Sequence, residues 1–133
     1  MAQERNADRI RRAFEAFTRG DLDAISEFVD PSLEVDDRVV PEANPSERGV
    51  EALVANARQV YDAFGEVSWE AREIVDLGDR VLVRVHVTMK GQHTALPVDE
   101  DLGQVFTLVD GRVVKLDIFR TWEEARRAGA RSA

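Results

Sequence analysis

Apolar residues recur at Ala7, Ile10, Ala13, Phe14 and Phe17, with Arg11, Arg12 and Glu15 between them. This is one face of a 3.6-residue period and predicts a helix over residues 3–19. Gly20 stops it, because the residue after a helix often needs a positive φ that glycine adopts at least cost. Asp21 then caps a short second helix carrying Leu22, Ile25, Phe28 and Val29. Asp30-Pro31 ends that helix, since a residue before proline avoids helical angles. Leu33 and Val35 alternate with Glu34 and Asp36, the pattern of a short strand. A loop rich in turn residues runs from Arg38 to Arg48. From about Ser46 a third helix is expected, its stripe formed by Val50, Leu53, Val54, Ala57, Val60, Tyr61 and Phe64.

After Gly65 the period changes to two. Val67, Trp69 and Ala71 alternate with polar residues and predict a strand to about Val75. Gly78-Asp79 makes a turn, and Val81, Val83, Val85, Val87 and Met89 form the clearest alternation in the chain. Residues 90–100 read as a loop, 102–109 as a strand, and Asp110-Gly111 as a two-residue hairpin turn. A last strand is expected over 112–120. Thr121 and Glu124 then have the capping-box spacing of a terminal helix, with the tail from Arg126 to Ala133 expected to fray. Helices at the front and an antiparallel meander behind imply an α+β fold, in which one sheet face buries against the helices.

At 133 residues the chain has the length of a single domain, 1–133. The charge balance of 18 Lys+Arg against 26 Asp+Glu gives −8, which lacks the basic footprint of a nucleic-acid binder and disfavours anionic membrane surfaces. With no cysteine, thiol nucleophiles, disulfides and thiolate metal sites are excluded. The two histidines, His86 and His93, make no zinc motif, so no metal is expected. No apolar run approaches a membrane span or a signal core, and the expected location is cytoplasmic. Phosphate loops and nucleophile elbows are also missing from the sequence.

Several segments together resemble a known family. They are Ala13-Phe14-Glu15-Ala16-Phe17-Thr18-Arg19-Gly20-Asp21-Leu22-Asp23-Ala24, Asp30-Pro31, Arg48-Gly49-Val50-Glu51-Ala52-Leu53, Gly78-Asp79-Arg80-Val81 and Val109-Asp110-Gly111-Arg112-Val113-Val114. Over residues 7–128 the chain resembles SnoaL-like and ketosteroid-isomerase-like proteins of the nuclear transport factor 2-like superfamily. The resemblance implies a curved antiparallel sheet wrapped around the N-terminal helices. Such a cone, a cystatin-like α+β barrel, holds an internal pocket and often forms a homodimer. One such scaffold hosts isomerases, cyclases, hydrolases and binders without catalysis, so fold alone does not assign an activity.

The candidate chemistry is acidic. By the resemblance, Asp36 stands at the general-base position of ketosteroid isomerases. By alternation it is Asp37 that shares a face with Leu33 and Val35, so both stay open. The isomerases' two oxyanion donors are replaced by Ala13, which donates nothing, and Gln104, a weak donor. SnoaL-like cyclases use an aspartate on the last strand where this chain has Ile118, with Asp117 one residue away and so on the opposite face unless a bulge intervenes. Gln104 shares the inward parity of Leu102, Phe106 and Leu108 and would orient a ligand. Expected pocket residues are Phe14, Phe17, Leu53, Asn56, Tyr61, Trp69, Phe106, Leu116 and Ile118, with Arg120 at the mouth.

These features point to cofactor-free acid/base chemistry on a hydrophobic carbonyl compound, or to a ligand-binding module without catalysis. Leu82, Val105, Thr107, Val109, Val113 and Phe119 alternate onto the second sheet face. A mixed patch of that size is expected to pair two copies of the chain.

Overall fold

The computed structural model describes residues 5–64, 66–90 and 98–130. The elements in chain order are α1 (Asn6–Arg19), α2 (Leu22–Ser26), β1 (Val29–Asp37), a 3₁₀ turn (Pro41–Ala43), α3 (Val50–Phe64), β2 (Glu66–Asp76), β3 (Arg80–Lys90), β4 (Val98–Val109), β5 (Arg112–Phe119) and α4 (Trp122–Ala130). One curved, unclosed sheet has the order β1-β5-β4-β3-β2. Its last four strands form the expected antiparallel meander, and β1 joins the far edge parallel to β5. The α+β cone anticipated from the sequence is the fold observed.

Local chemistry sets the element ends. Gly20 has φ 71°, and the N–H groups of Gly20 and Asp21 bond back to Phe17 O and Ala16 O, closing α1. The Asp21 side chain accepts from Ala24 N and starts α2. At the β4–β5 hairpin Asp110 and Gly111 both take positive φ, 52° and 79°, as a tight right-twisted connection requires. The start of α1 has no cap of its own. Asp76 at the end of β2 supplies one by accepting from Ala7 N, and Arg9 Nε donates to Gly111 O, tying α1 to two hairpin turns.

Some expected boundaries shift. The second helix ends at Ser26, and Val29 through Pro31 already belong to β1. Helix α3 begins at Val50 rather than Ser46. Residues 98–101 extend β4 into the expected loop, and α4 stays helical to Ala130 rather than fraying from Arg126. Helix α4 folds onto the convex face of the sheet. Its Ala125 packs with Leu82 and Val105, flanked by Val75, Phe119, Trp122 and Ala128. Gly103 makes this approach possible, because a Cβ there would meet Ala125 and lie 2.8 Å from Thr121 O.

The main core lies on the concave side. Val81, Val83, Val85 and Val87 of β3 are almost wholly inaccessible, and Ile10, Ala16, Leu33, Ala43 and Ala52 close over them. A bulge at Val114 shifts the β4–β5 register, so Val113 joins Leu116 and Ile118 on the concave face. The convex patch expected from strict alternation is therefore reduced. Leu82 and Val105 lie under α4, and Val113 faces the other way. No helix among the described residues is long and apolar enough to cross a membrane.

Candidate functional site

The sheet register places one polar side chain on each side of an isoleucine. Asp37 of β1 lies beside Ile118 of β5, and Ile118 lies opposite Gln104 of β4. Neighbouring strands are spaced by about 4.8 Å, which puts the Asp37 and Gln104 backbones roughly 10 Å apart along one row. All three side chains line a cavity between the concave sheet, α1, α2 and α3. Its volume is about 120 Å³. Apart from Asp37, Asn56 and Gln104, every residue lining it is apolar. Few polar groups in an apolar wall is the usual make-up of a small-molecule site.

Asp37 is 4% exposed. Its Oδ1 accepts from Val39 N and Val40 N, both at 2.9 Å, and its Oδ2 accepts from Asn56 Nδ2 at 3.0 Å. Val39 and Val40 lie two and three residues after Asp37, and the chain turning there, ahead of the 3₁₀ turn Pro41–Ala43, brings their N–H groups back onto its carboxylate. Asn44 fixes the same corner: Asp37 N donates to Asn44 Oδ1 at 2.6 Å, and Asn44 Nδ2 donates to Asp37 O at 2.8 Å. Asn56 also donates to Ala43 O at 3.1 Å, so α3 holds both the carboxylate and the turn beneath it. Each carboxylate oxygen has two lone pairs, which leaves Oδ2 a further site for a ligand proton.

Gln104 is 8% exposed, and no protein group reaches its buried Oε1. Its row neighbours, Ile118 and Val83, are aliphatic and have nothing to donate. A buried amide oxygen without a partner is uncommon in folded proteins.

An aromatic corner completes the wall. Phe17 meets Trp69 edge-to-face at 5.6 Å, and Phe14 meets Phe106 at 5.9 Å. Phe28 closes another side, with Arg9 and Arg12 stacked over its ring at 5.1 and 5.2 Å.

Of the expected pocket residues, Phe14, Phe17, Leu53, Asn56, Trp69, Gln104, Phe106, Leu116 and Ile118 line the cavity. The expected catalytic acids separate. Asp36 points away from it, 44% exposed and paired with Arg38 at 2.9 Å. Asp117 also faces outward, bound by the same Arg38 at 3.1 Å. The bulge that would have turned Asp117 inward falls earlier, at Val114, so Asp117 and Ile118 keep their ordinary alternation. Tyr61 does not reach the cavity. It is 45% exposed, donates its hydroxyl to Val67 O at 3.2 Å, and packs behind Trp69. Arg120 is exposed beyond the end of β5 and does not line the mouth.

His86 also lies outside the cavity. Its Nδ1–H donates to Asp101 Oδ1 at 2.7 Å, and Arg84 Nε donates to Asp101 Oδ2 at 2.8 Å. These bonds, that from His86 foremost, hold the Asp101 carboxyl below the usual carboxylate range. Among the described residues no three metal-binding side chains converge. Reading the sequence alone missed Asn44, whose place in a proline-rich loop signals a turn but not its partner. It also missed Phe28 as pocket wall, although Phe28 stood among the apolar positions.

Residues 10–116 match the SnoaL-like domain family. No functionally curated protein matches the sequence. Among solved structures, a candidate polyketide cyclase from Sinorhizobium meliloti is 30% identical, with a TM-score of 0.63 over 84% of this chain and 93% of that one. An NTF2-like protein from Burkholderia pseudomallei is 18% identical, with a TM-score of 0.75 over 97% and 100%. TerC, co-crystallized with polyporic acid, is 17% identical, with a TM-score of 0.73 over 92% and 95%. At these lower identities the likeness is one of fold.

Proposed function

The chain belongs to the SnoaL-like domain family of the nuclear transport factor 2-like superfamily, and from that membership we propose that it binds a hydrophobic carbonyl compound in its cavity and moves a proton with Asp37. The observation that carries this reading is a single buried carboxylate, held by three donors, in an otherwise apolar wall. Asp37 is the sole acidic or basic side chain lining the cavity among the described residues. Its Oδ2 takes a proton from the carbon beside the substrate carbonyl. The C–H electron pair moves into the new C=C bond, and the carbonyl oxygen becomes an enolate. Gln104 orients the substrate, and the protonated Asp37 returns its proton at the end of the cycle. The chemistry needs no cofactor.

The test is hydrogen exchange in D₂O. With 4-hydroxyacetophenone as a ring-sized probe, the wild-type protein should exchange the α-hydrogens as followed by NMR. General-base catalysis contributes about 10²–10⁴-fold, and Asp37→Asn should lose a factor of that size. Exchange that is unchanged in Asp37→Asn would remove Asp37 from the chemistry.

The second reading is binding without turnover. It is favoured by the three donors already on Asp37, which suit a fixed anchor as well as a base. Native mass spectrometry that shows a retained small molecule, together with no exchange by the wild-type protein, would decide for it.

We also propose that two copies associate through the uncovered part of the convex sheet. Phe119 is partly buried there beneath the Arg38 guanidinium at 4.5 Å, with Lys115 and Asp117 beside it. Charges of both signs on one face suit a two-fold contact with a second copy.

A further inference from the structure

We infer that the carbonyl compound taken by the cavity is neutral, has a single ring and also donates a hydroxyl or N–H hydrogen to Gln104, phenol being the simplest probe of that contact. The inference rests on the pocket reading above and specifies the ligand it takes.

The buried Oε1 of Gln104 has no partner in the protein, and Gln104 is one of the residues lining the cavity. An acceptor removed from water without a replacement bond is destabilising, and a ligand donor would relieve that. Neither of the other polar side chains of the wall supplies that donor, and a phenol preference carried instead by the open lone pair of Asp37 Oδ2 would survive the loss of Gln104. Asp37 offers only acceptors, and both hydrogens of Asn56 Nδ2 are used, on Asp37 Oδ2 and Ala43 O. A compound that only accepts hydrogen bonds would leave Gln104 Oε1 orphaned. An anionic ligand would bring a second negative charge beside Asp37 in apolar surroundings, where like charges interact strongly.

Size sets the other limit. A dry apolar cavity of about 150 Å³ holds benzene. The cavity here, about 120 Å³, is on that scale and admits one ring rather than a fused polycycle. The edge-on aromatic pairs around it present flat, apolar walls to such a ring.

The experiment is calorimetric titration of the full chain at pH 7 with phenol, anisole, toluene and benzoate. Phenol should bind at least tenfold tighter than anisole or toluene, and benzoate should not bind. Gln104→Met keeps length and apolar bulk but removes the acceptor. It should lower phenol to the affinity of toluene without lowering the unfolding midpoint, and Gln104→Leu serves if the Met variant does not fold. Equal binding of phenol and anisole, a phenol preference that survives in the Gln104 variant, or no binding of any probe at millimolar concentration would each overturn the inference. The base assignment fails separately. If 4-hydroxyacetophenone exchange does not need Asp37 yet the phenol preference depends on Gln104, only the catalytic reading falls. If exchange needs Asp37 and the preference is absent, only this inference falls.

Discussion

Asp36 and Asp37 are adjacent acids with opposite surroundings, and the difference shows what one residue step along a strand does. Asp37 is buried on three donors, whereas Asp36 shares the exposed Arg38 with Asp117. Asn56→Leu should therefore destabilise the protein by about 1–3 kcal/mol, because it strips a donor from a buried carboxylate. Urea unfolding measures this. Asp36→Asn should change stability by less than about 1 kcal/mol, as surface ion pairs do. Asp101 gives a pH prediction. The His86 and Arg84 bonds depress its folded-state value below the ordinary 3.8. The stabilisation is thus present above 3.8 and is lost as pH falls through the lower folded value. Asp101→Asn should melt below wild type at pH 7, and thermal scans should show the gap closing as the pH drops under that window.

At the scale of elements, α4 decides which part of the convex face is covered. It lies close because Gly103 has no side chain where Ala125 and the Thr121 carbonyl approach. Gly103→Ala should cost about 1–3 kcal/mol by overpacking that contact, read from the shift in the urea midpoint. The helix start depends on Thr121, whose Oγ1 accepts from Glu124 N at 3.1 Å. Loss of such a cap in Thr121→Ala is worth about 1 kcal/mol. The cap was legible in the sequence as a threonine three residues before a glutamate. The surface on which the helix docks was not, because an amphipathic stripe announces that a face will be buried without naming what buries it.

For the whole molecule, the proposed pairing through Phe119 makes a concrete expectation. Wild-type protein should sediment at twice its 14.9 kDa chain mass at micromolar concentration, and Phe119→Glu should sediment as the single chain. A wild-type protein of single-chain mass would remove the dimer. Phe119 also packs at the edge of the α4 contact, so an unchanged urea midpoint in Phe119→Glu is the control that the dimer and not the fold is lost; Val105 lies beneath α4 and is unsuitable.

Period and punctuation determined much of the molecule directly. The alternating valines of β3, the αL stop at Gly20 and the Asp110-Gly111 turn appear where local pattern puts them, because each depends on backbone preferences a few residues long. Alternation from Leu33 and Val35 also puts Asp37 on the cavity side, whereas Asp36, to which the resemblance pointed, faces outward. Three things were decided only in the folded chain. The parallel pairing of β1 with β5 brings Asp37 into the row of Ile118 and Gln104, and it joins segments some 80 residues apart. The bulge at Val114 turns Val113 inward without disturbing Asp117, since a bulge is a property of two paired strands rather than of one sequence. The orphaned oxygen of Gln104 goes with its cross-strand neighbours, Val83 and Ile118, which are aliphatic and which only the pairing of β4 with β3 and β5 brings beside it.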